Sequence, residues 1–507
     1  MKRPLKKITK DMGSAVLRGL LALVLVLAHA AAVTLLSYFL GGWSACIYIP
    51  LELAALGLAL KIWTEEAGGR LGWTLLLLTA PIAGFVLYVL WGDHGPRRDL
   101  VAVEAPANRT PDLKRSRIDS DRMEEILPSF SRAQTLLEKN GYLLYRDTEV
   151  TYFSRGEDFF SDMLSRIEKA EHFVFLETPN FAGGKLMDRL LEALDARARW
   201  GVAVKLIVDG RAAGSWLDHE KEELLLSRGM EIQFSSPAAR TPIHRATAYR
   251  DSRNILAIDG QWAYVGSVDF TDEASGFQHR NTRRQDAAVL LDGLGAWGLT
   301  SQFLHMWEKL GGRFQTEHDY YRPMEARPAA GWCQPFGGEP GGESLSEALY
   351  LQCASAAKKT LWLMVPMFAP GDALLKALTT AADGGVDVRL LIPKTWRSRR
   401  AQRLTGAYLG QLLAHGVRVY SYTPGTICGR LLLVDGEAAV ISTADLDKES
   451  FRAQYTSGVV LYGMPQIQDI RRELEGLMAE SQGMEPRAFK DRTSVKKRTE
   501  QLLRALQ

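Results

Sequence analysis

Two stretches of this chain repeat each other. NILAIDGQWAYVGSVDF (residues 254–270) mirrors RLLLVDGEAAVISTADL (residues 430–446). Each reads as a strand, an Asp-Gly turn and a second strand, with Asp259-Gly260 and Asp435-Gly436 at the turns. Asp-Gly between apolar runs is a strong hairpin signal. Upstream, the order also recurs. Residues 159–170 have helical spacing and HFVFLE (172–177) reads as a buried strand; residues 185–200 are helical again and VAVKLIV (202–208) is a strand. In the second copy the pattern is helix at 344–358, LWLMV at 361–365, helix at 373–382 and VDVRLLI at 386–392. A repeat this long is an internal duplication. Strands alternating with helices predict an α/β fold, in which a largely parallel or mixed sheet is covered by helices. Two such units usually share a site at their interface. Residues 334–343, rich in Gly and Pro, read as a hinge between them.

The start of the chain has a different character. Lys2, Arg3, Lys6, Lys7 and Lys10 precede apolar runs at about 20–40, 43–63 and 71–91. A bilayer core needs about 20 apolar residues in a helix. Tyr38, Trp43, Tyr48, Trp63, Trp73, Tyr88 and Trp91 sit near the ends of the runs, as interfacial aromatics do. The first run is long for a cleaved signal peptide and lacks an A-x-A site followed by a polar segment. Residues 1–92 are therefore expected to be a membrane anchor of two or three transmembrane helices; Pro50 and Glu52 make the second run the weakest. The basic tail favours a cytoplasmic N-terminus, so three spans place the body outside and two place it inside. Arg97 and Arg98 lean towards the inside. Residues 93–140 read as a polar linker, 141–333 as the first α/β domain, and 334–507 as the second with a basic C-terminal helix.

Across 507 residues the net charge is only +3, with 46% hydrophobic and 24% charged residues. That usage excludes a disordered chain and gives no reason to expect a nucleic-acid partner. Cys46, Cys333, Cys353 and Cys428 lie far apart without a CxxC pair, so neither a zinc site nor a disulfide framework is expected. No metal or cofactor is implied.

Basic tail, apolar spans and two α/β halves, each with a strand–Asp-Gly–strand near its end, together resemble the bacterial cardiolipin synthases of the phospholipase D superfamily. The passages LGWTLLLLTAPIAGFVLYVLWG, EKAEHFVFLE, RARWGVAVKLIVDG and LLAHGVRVYSYTPG are similar to family passages. The resemblance implies tandem phospholipase D-like domains related by a pseudo-two-fold axis, in a multi-pass protein of the bacterial cell membrane. It also implies a His-x-Lys-x4-Asp motif in each half. As that mechanism runs, one His attacks the phosphorus of a phosphatidyl group and the other protonates the leaving alcohol. The Lys residues hold the phosphate, and the Asp residues orient the histidines. The family reaction is phosphatidyl transfer: two phosphatidylglycerols give cardiolipin and glycerol.

This chain departs from the motif in both halves. The His positions are Ser252 and Cys428, the Lys positions are Asn254 and Arg430, and only Asp259 and Asp435 match. Where the family carries Asn just beyond each motif, Asp269 and Asp445 stand. The nucleophile, the acid and part of the positive charge are lost together, so what survives is expected to be binding. Candidate phospholipid contacts are Arg253, Ser267, Arg430 and Ser442. The expected partners are phosphatidylglycerol or cardiolipin, with a partner synthase or a second copy as further possibilities.

Two alternatives stay open. One is an active, divergent phosphatidyltransferase using Cys428, whose thiolate beside Arg430 would be stabilised; His244 and His279 are the remaining candidate bases. The other is a phosphodiesterase on the same fold. Basic clusters at Lys394, Arg397, Arg399, Arg400 and Arg403, and at Arg280, Arg283 and Arg284, read as solvated faces or as contacts to anionic head groups. Residues 491–507 read as a basic amphipathic helix, packed on the body or on a membrane.

Overall fold

The duplication appears as two sheets with matching strand order in the computed structural model. It describes residues 41–64, 70–91, 113–180, 183–210, 219–236, 250–277, 283–313, 320, 324–340, 344–396 and 398–485, with isolated positions between 24 and 39. The first half contributes β1 (Thr148–Phe153), β2 (Phe173–Thr178), β3 (Ala203–Asp209), β4 (Met230–Ser236), β5 (Arg250–Asp251), β6 (Ile255–Ile258), β7 (Trp262–Gly266), β8 (Arg283–Gln285) and β9 (Ala288–Gly293). Its sheet runs β1-β9-β7-β6-β2-β3-β4. The second half contributes β10 (Trp332–Gly338), β11 (Thr360–Met364), β12 (Phe368–Ala369), β13 (Asp387–Pro393), β14 (Arg418–Tyr422), β15 (Gly425–Ile427), β16 (Leu431–Val434), β17 (Ala438–Ser442), β18 (Leu446–Asp447), β19 (Gln454–Tyr462) and β20 (Ser481–Gly483). Its sheet runs β10-β19-β17-β16-β11-β13-β14-β20. Up to β14 this repeats the first sheet strand for strand. The β2-β3-β4 and β11-β13-β14 ladders are parallel, while β6 and β16 pair antiparallel with β2 and β11, so the sheets are mixed.

Central strands are buried on both faces, which explains apolar runs in place of alternation. Val174 and Leu176 of β2 pack with Phe159, Met163, Leu190 and Leu194 of the helices Gly156–Ile167 and Lys185–Arg199. The intervening Phe173 and Phe175 join a second core with the helix Ala296–Lys309. That core continues into Trp362, Leu433 and Leu474 of the second half. The halves therefore share one core.

Each half also lends a short strand to the other. β5 pairs in parallel with β19, setting Arg250 opposite Gln454 and Asp251 opposite Tyr455. β15 pairs in parallel with β8, setting Gly425 opposite Arg283. A Cβ on Gly425 would lie 1.7 Å from the Arg283 carbonyl oxygen, so only glycine fits this approach. The reciprocal pairing carries Ser252 and Cys428 to the seam.

Three expectations need correction. Within 93–140, residues Leu113–Ile126 and Ser131–Lys139 are helices. Met123, Phe130, Ala133 and Leu137 are buried, which the charged composition around them disguised. The proposed hinge at 334–343 begins as strand, since β10 includes residues 334–338 and is fully buried. Pro335 is tolerated there because β10 is an edge strand.

The N-terminal unit is the third case. Ser44–Thr64 is a helix of 21 residues, and with the short 3-10 turn Gly41–Trp43 before it the stretch Gly41–Leu60 is long and apolar enough to cross a bilayer. The 71–91 run is instead two helices, Arg70–Thr79 and Pro81–Trp91, that break at Ala80. Pro81 has no N–H to continue the ladder. The bend is so sharp that a Cβ on Gly84 would lie 2.9 Å from the Leu77 Cα. Trp73 and Tyr88 meet across it edge to face at 5.3 Å. Neither piece reaches spanning length alone. The 20–40 run lies largely outside the described residues.

Candidate functional site

The motif aspartates occupy the hairpin turns. Asp259 and Gly260 have φ of 53° and 72°, and the Gln261 N–H reaches the Ile258 carbonyl at 3.1 Å. Two successive positive φ values define the type I′ turn that Asp-Gly favours. The Asp259 carboxylate accepts the backbone N–H groups of Glu171, His172 and Phe173, each at 2.8 Å. Asp435 repeats this at φ 52°, accepting from Lys358 at 2.8 Å and from Lys359 and Thr360 at 2.7 Å. Both carboxylates thus clamp the start of β2 or β11, at the far end of the hairpin from the motif's first residues. The expectation, implied by the family resemblance, that they orient reacting groups is corrected: they accept from backbone amides.

The remaining motif positions meet at the seam. The Ser252 N–H and hydroxyl both donate to the Tyr455 carbonyl at 2.9 Å. The Cys428 N–H donates to the Gln285 carbonyl at 2.8 Å. The Asn254 N–H reaches Ser457 Oγ at 3.2 Å, and the Arg430 N–H reaches Ser267 Oγ at 3.1 Å, each crossing to a serine of the other half. The side chains then diverge. Asn254 Nδ2 donates to the Val268 carbonyl at 2.5 Å. Arg430 grips Asp445 with two bonds, Nε to Oδ1 at 2.7 Å and Nη2 to Oδ2 at 3.1 Å. Burial opposes the Arg430 charge, but Asp445 and then Asp269 outweigh it and raise its pKa. The guanidinium stays charged and is already neutralised. Asp269 is held by Arg284 Nη2 at 3.1 Å and by Asn180 Nδ2 at 3.2 Å, and Arg284 also pairs with Asp286 at 2.8 Å.

Beside this seam lies a cavity of about 340 Å³. Four carboxylates (Asp269, Asp445, Asp447 and Glu449) and three guanidinium groups (Arg250, Arg400 and Arg430) line it, with Cys428 among them. The expected contacts Arg253, Ser267 and Ser442 are not part of the lining. Arg253 is buried against Glu177 at 2.8 Å and Asp251 at 3.3 Å, with its guanidinium 5.0 Å from the Tyr455 ring centre. Burial pushes the Glu177 carboxyl well above its usual range, Arg253 pulls it back and Asp251 pushes it up again. Ser442 is fully buried and accepts the Ala444 N–H. His244, His279, Arg280, Arg397 and residues 486–507 lie outside the described residues.

Sequence reasoning missed Arg250, Asp447 and Glu449. Asp445, Asp447 and Glu449 recur at every second position, a weak signal that they share one side.

Asp447 is buried in this lining. Its carboxylate caps the helix Lys448–Ala453 by accepting the Ser450 N–H at 2.6 Å. Burial, then repulsion from Asp445, pushes its pKa up to about 7. The folded state therefore holds this proton more tightly than the unfolded chain. Its stabilising effect is full below about pH 4 and is lost as pH rises through 7. Asp447→Asn keeps the cap and removes the charge. Its stability relative to the parent should rise by up to about 4 kcal/mol between pH 4 and pH 8, read from denaturant unfolding. Parallel pH profiles for the two proteins would refute this.

Comparison with known proteins places this arrangement. Residues 163–307 and 350–478 match the family model described as cardiolipin synthase, PLD-like domain. The cardiolipin synthase of Geobacillus kaustophilus is 28% identical over 429 residues, covering 82% of this chain and 84% of the relative. Cardiolipin synthase 1 of Bacillus cereus is 26% identical over 495 residues, covering 94% and 95%. The crystal structure of phosphatidylserine synthase from Haemophilus influenzae Rd KW20 shares the fold. Its TM-score is 0.56 at 11% identity, over 75% of this chain and 100% of that one.

Proposed function

Because this chain belongs to the cardiolipin synthase family of phospholipase D-like proteins, we propose that it binds membrane phospholipid on the family's scaffold without performing phosphatidyl transfer. One observation carries this reading. At the second motif, the cation that should hold a phosphate is tied bidentately to Asp445, and the histidine position is Cys428. At the first, Ser252 donates its hydroxyl to a backbone carbonyl, and Asn254 is uncharged. Among the described residues, neither motif presents an imidazole to attack phosphorus or to protonate a leaving alcohol. Phosphoryl oxygens gain nothing from a guanidinium whose charge is already matched.

The helix Ser44–Thr64 supplies attachment to the bacterial cell membrane in this reading, and the bent helices Arg70–Thr79 and Pro81–Trp91 extend the apolar anchor. A partner synthase or a second copy of the chain is a further proposed partner. The acidic lining argues against a phosphodiesterase acting on nucleic acid, whose substrate is held by unpaired cations.

A second reading rests on Cys428, which lines the cavity close to Arg430. The test covers both. Purified full-length protein in detergent is incubated with phosphatidylglycerol, and glycerol release and cardiolipin are measured. No product above a protein-free control is expected. Product that disappears in Cys428→Ser would establish the cysteine enzyme and remove the proposal.

A further inference from the structure

The charge pattern of the cavity does not suit an anionic head group. Internal pairing accounts for most of its lining. Arg430 is matched by Asp445, Arg400 lies 3.3 Å from Glu449, and Asp269 is held from behind by Arg284. Two groups remain. Arg250 is exposed and makes no ion pair with a described residue. Asp447 is only 4% exposed and lines the same cavity; its carboxylate accepts from the Ser450 N–H and from the Ser450 hydroxyl, and no cation among the described residues pairs with it. Among the described residues, the cation without an ion pair is thus exposed and the carboxylate without one is buried.

From this juxtaposition we infer that the cavity takes the head group of a zwitterionic aminophospholipid, with its primary ammonium inward on Asp447 and its phosphodiester outward on Arg250. The inference rests on the phospholipid-binding reading and narrows it. Head-first entry places the ammonium deepest and leaves the acyl chains outside, the order in which Asp447 and Arg250 occur. The volume of about 340 Å³ is at the small end of ligand cavities and fits a head group without its chains. Trp396 also lines the cavity, and aromatic rings attract ammonium groups. A phosphatidylglycerol head group would instead bring a net negative charge to a lining where carboxylates outnumber cations. A like-charge contact of that kind disfavours binding.

Binding to the full-length protein in detergent tests this by calorimetry. The probes are dihexanoyl-phosphatidylethanolamine, dihexanoyl-phosphatidylglycerol and deacylated glycerophosphoethanolamine. The ethanolamine lipid should bind at least about tenfold more tightly than the glycerol lipid. Asp447→Asn should weaken the ethanolamine lipid about tenfold and leave the glycerol lipid unchanged. Arg250→Gln, on an exposed strand residue, should weaken both. Glycerophosphoethanolamine binding as tightly as its lipid supports the same chemistry and assigns the ligand to the free head group; weaker binding assigns it to the membrane. Equal or tighter phosphatidylglycerol binding overturns the inference and leaves phospholipid binding standing, as does an Asp447→Asn variant that folds and keeps full ethanolamine-lipid affinity. No binding of any phospholipid overturns both.

Discussion

Alanine at Asp435 should cost about 3–5 kcal/mol of stability, and alanine at Asp259 about the same. Each change removes a carboxylate that accepts three backbone N–H groups at 2.7–2.8 Å. Bonds to a charged acceptor contribute about 1.5–3 kcal/mol each, with losses that overlap when they share one group. The left-handed φ near 50° adds roughly 1 kcal/mol, because alanine tolerates it poorly. Asparagine accepts that φ and keeps one acceptor oxygen, so Asp435→Asn should recover part of the loss. Denaturant unfolding reads all three variants. Alanine variants as stable as the parent would mean that these carboxylates do not act as clamps.

Restoring the chemistry should have the second large effect. Ser252→His, Asn254→Lys, Cys428→His and Arg430→Lys rebuild a nucleophile, an acid and two phosphate-holding charges. The ion pair at Arg430 adds a requirement: a lysine there would still face Asp445, so Asp445→Asn must accompany it. Asp269→Asn removes the matching carboxylate in the first half, and Arg284 retains Asp286 as its partner. The sixfold variant should convert phosphatidylglycerol at least about a hundredfold above the parent's background, as acid–base groups acting together allow. Single changes should give nothing, since each leaves attack or protonation unsupported. A folded sixfold variant without turnover would show that the cavity has diverged beyond its motifs.

Much of this was legible in the sequence because duplication repeats its own signals. The paired Asp-Gly turns and the strands HFVFLE and LWLMV correspond to observed elements. Parallel pairing between β5 and β19 and between β15 and β8 was not legible, because two- and three-residue strands carry no periodicity. The aspartates misled for a physical reason. Their spacing from the motif is fixed, but one strand length separates a turn from a seam, and spacing alone does not show which end a carboxylate serves. Arg253 looked like a lipid contact because arginine binds phosphate. Its burial beside Glu177 and Asp251 comes from residues distant in sequence. The 71–91 run had spanning length, and only the bend at Pro81 divides it.

The central claim is that this chain keeps a cardiolipin synthase fold without the reaction. Its most direct test is lipid analysis by mass spectrometry of a bacterial strain lacking all of its own cardiolipin synthases, with the full-length chain expressed in its membrane and an active synthase as the positive control. The account predicts cardiolipin no higher than in the empty-vector strain. Cardiolipin restored by the unmodified chain would contradict it.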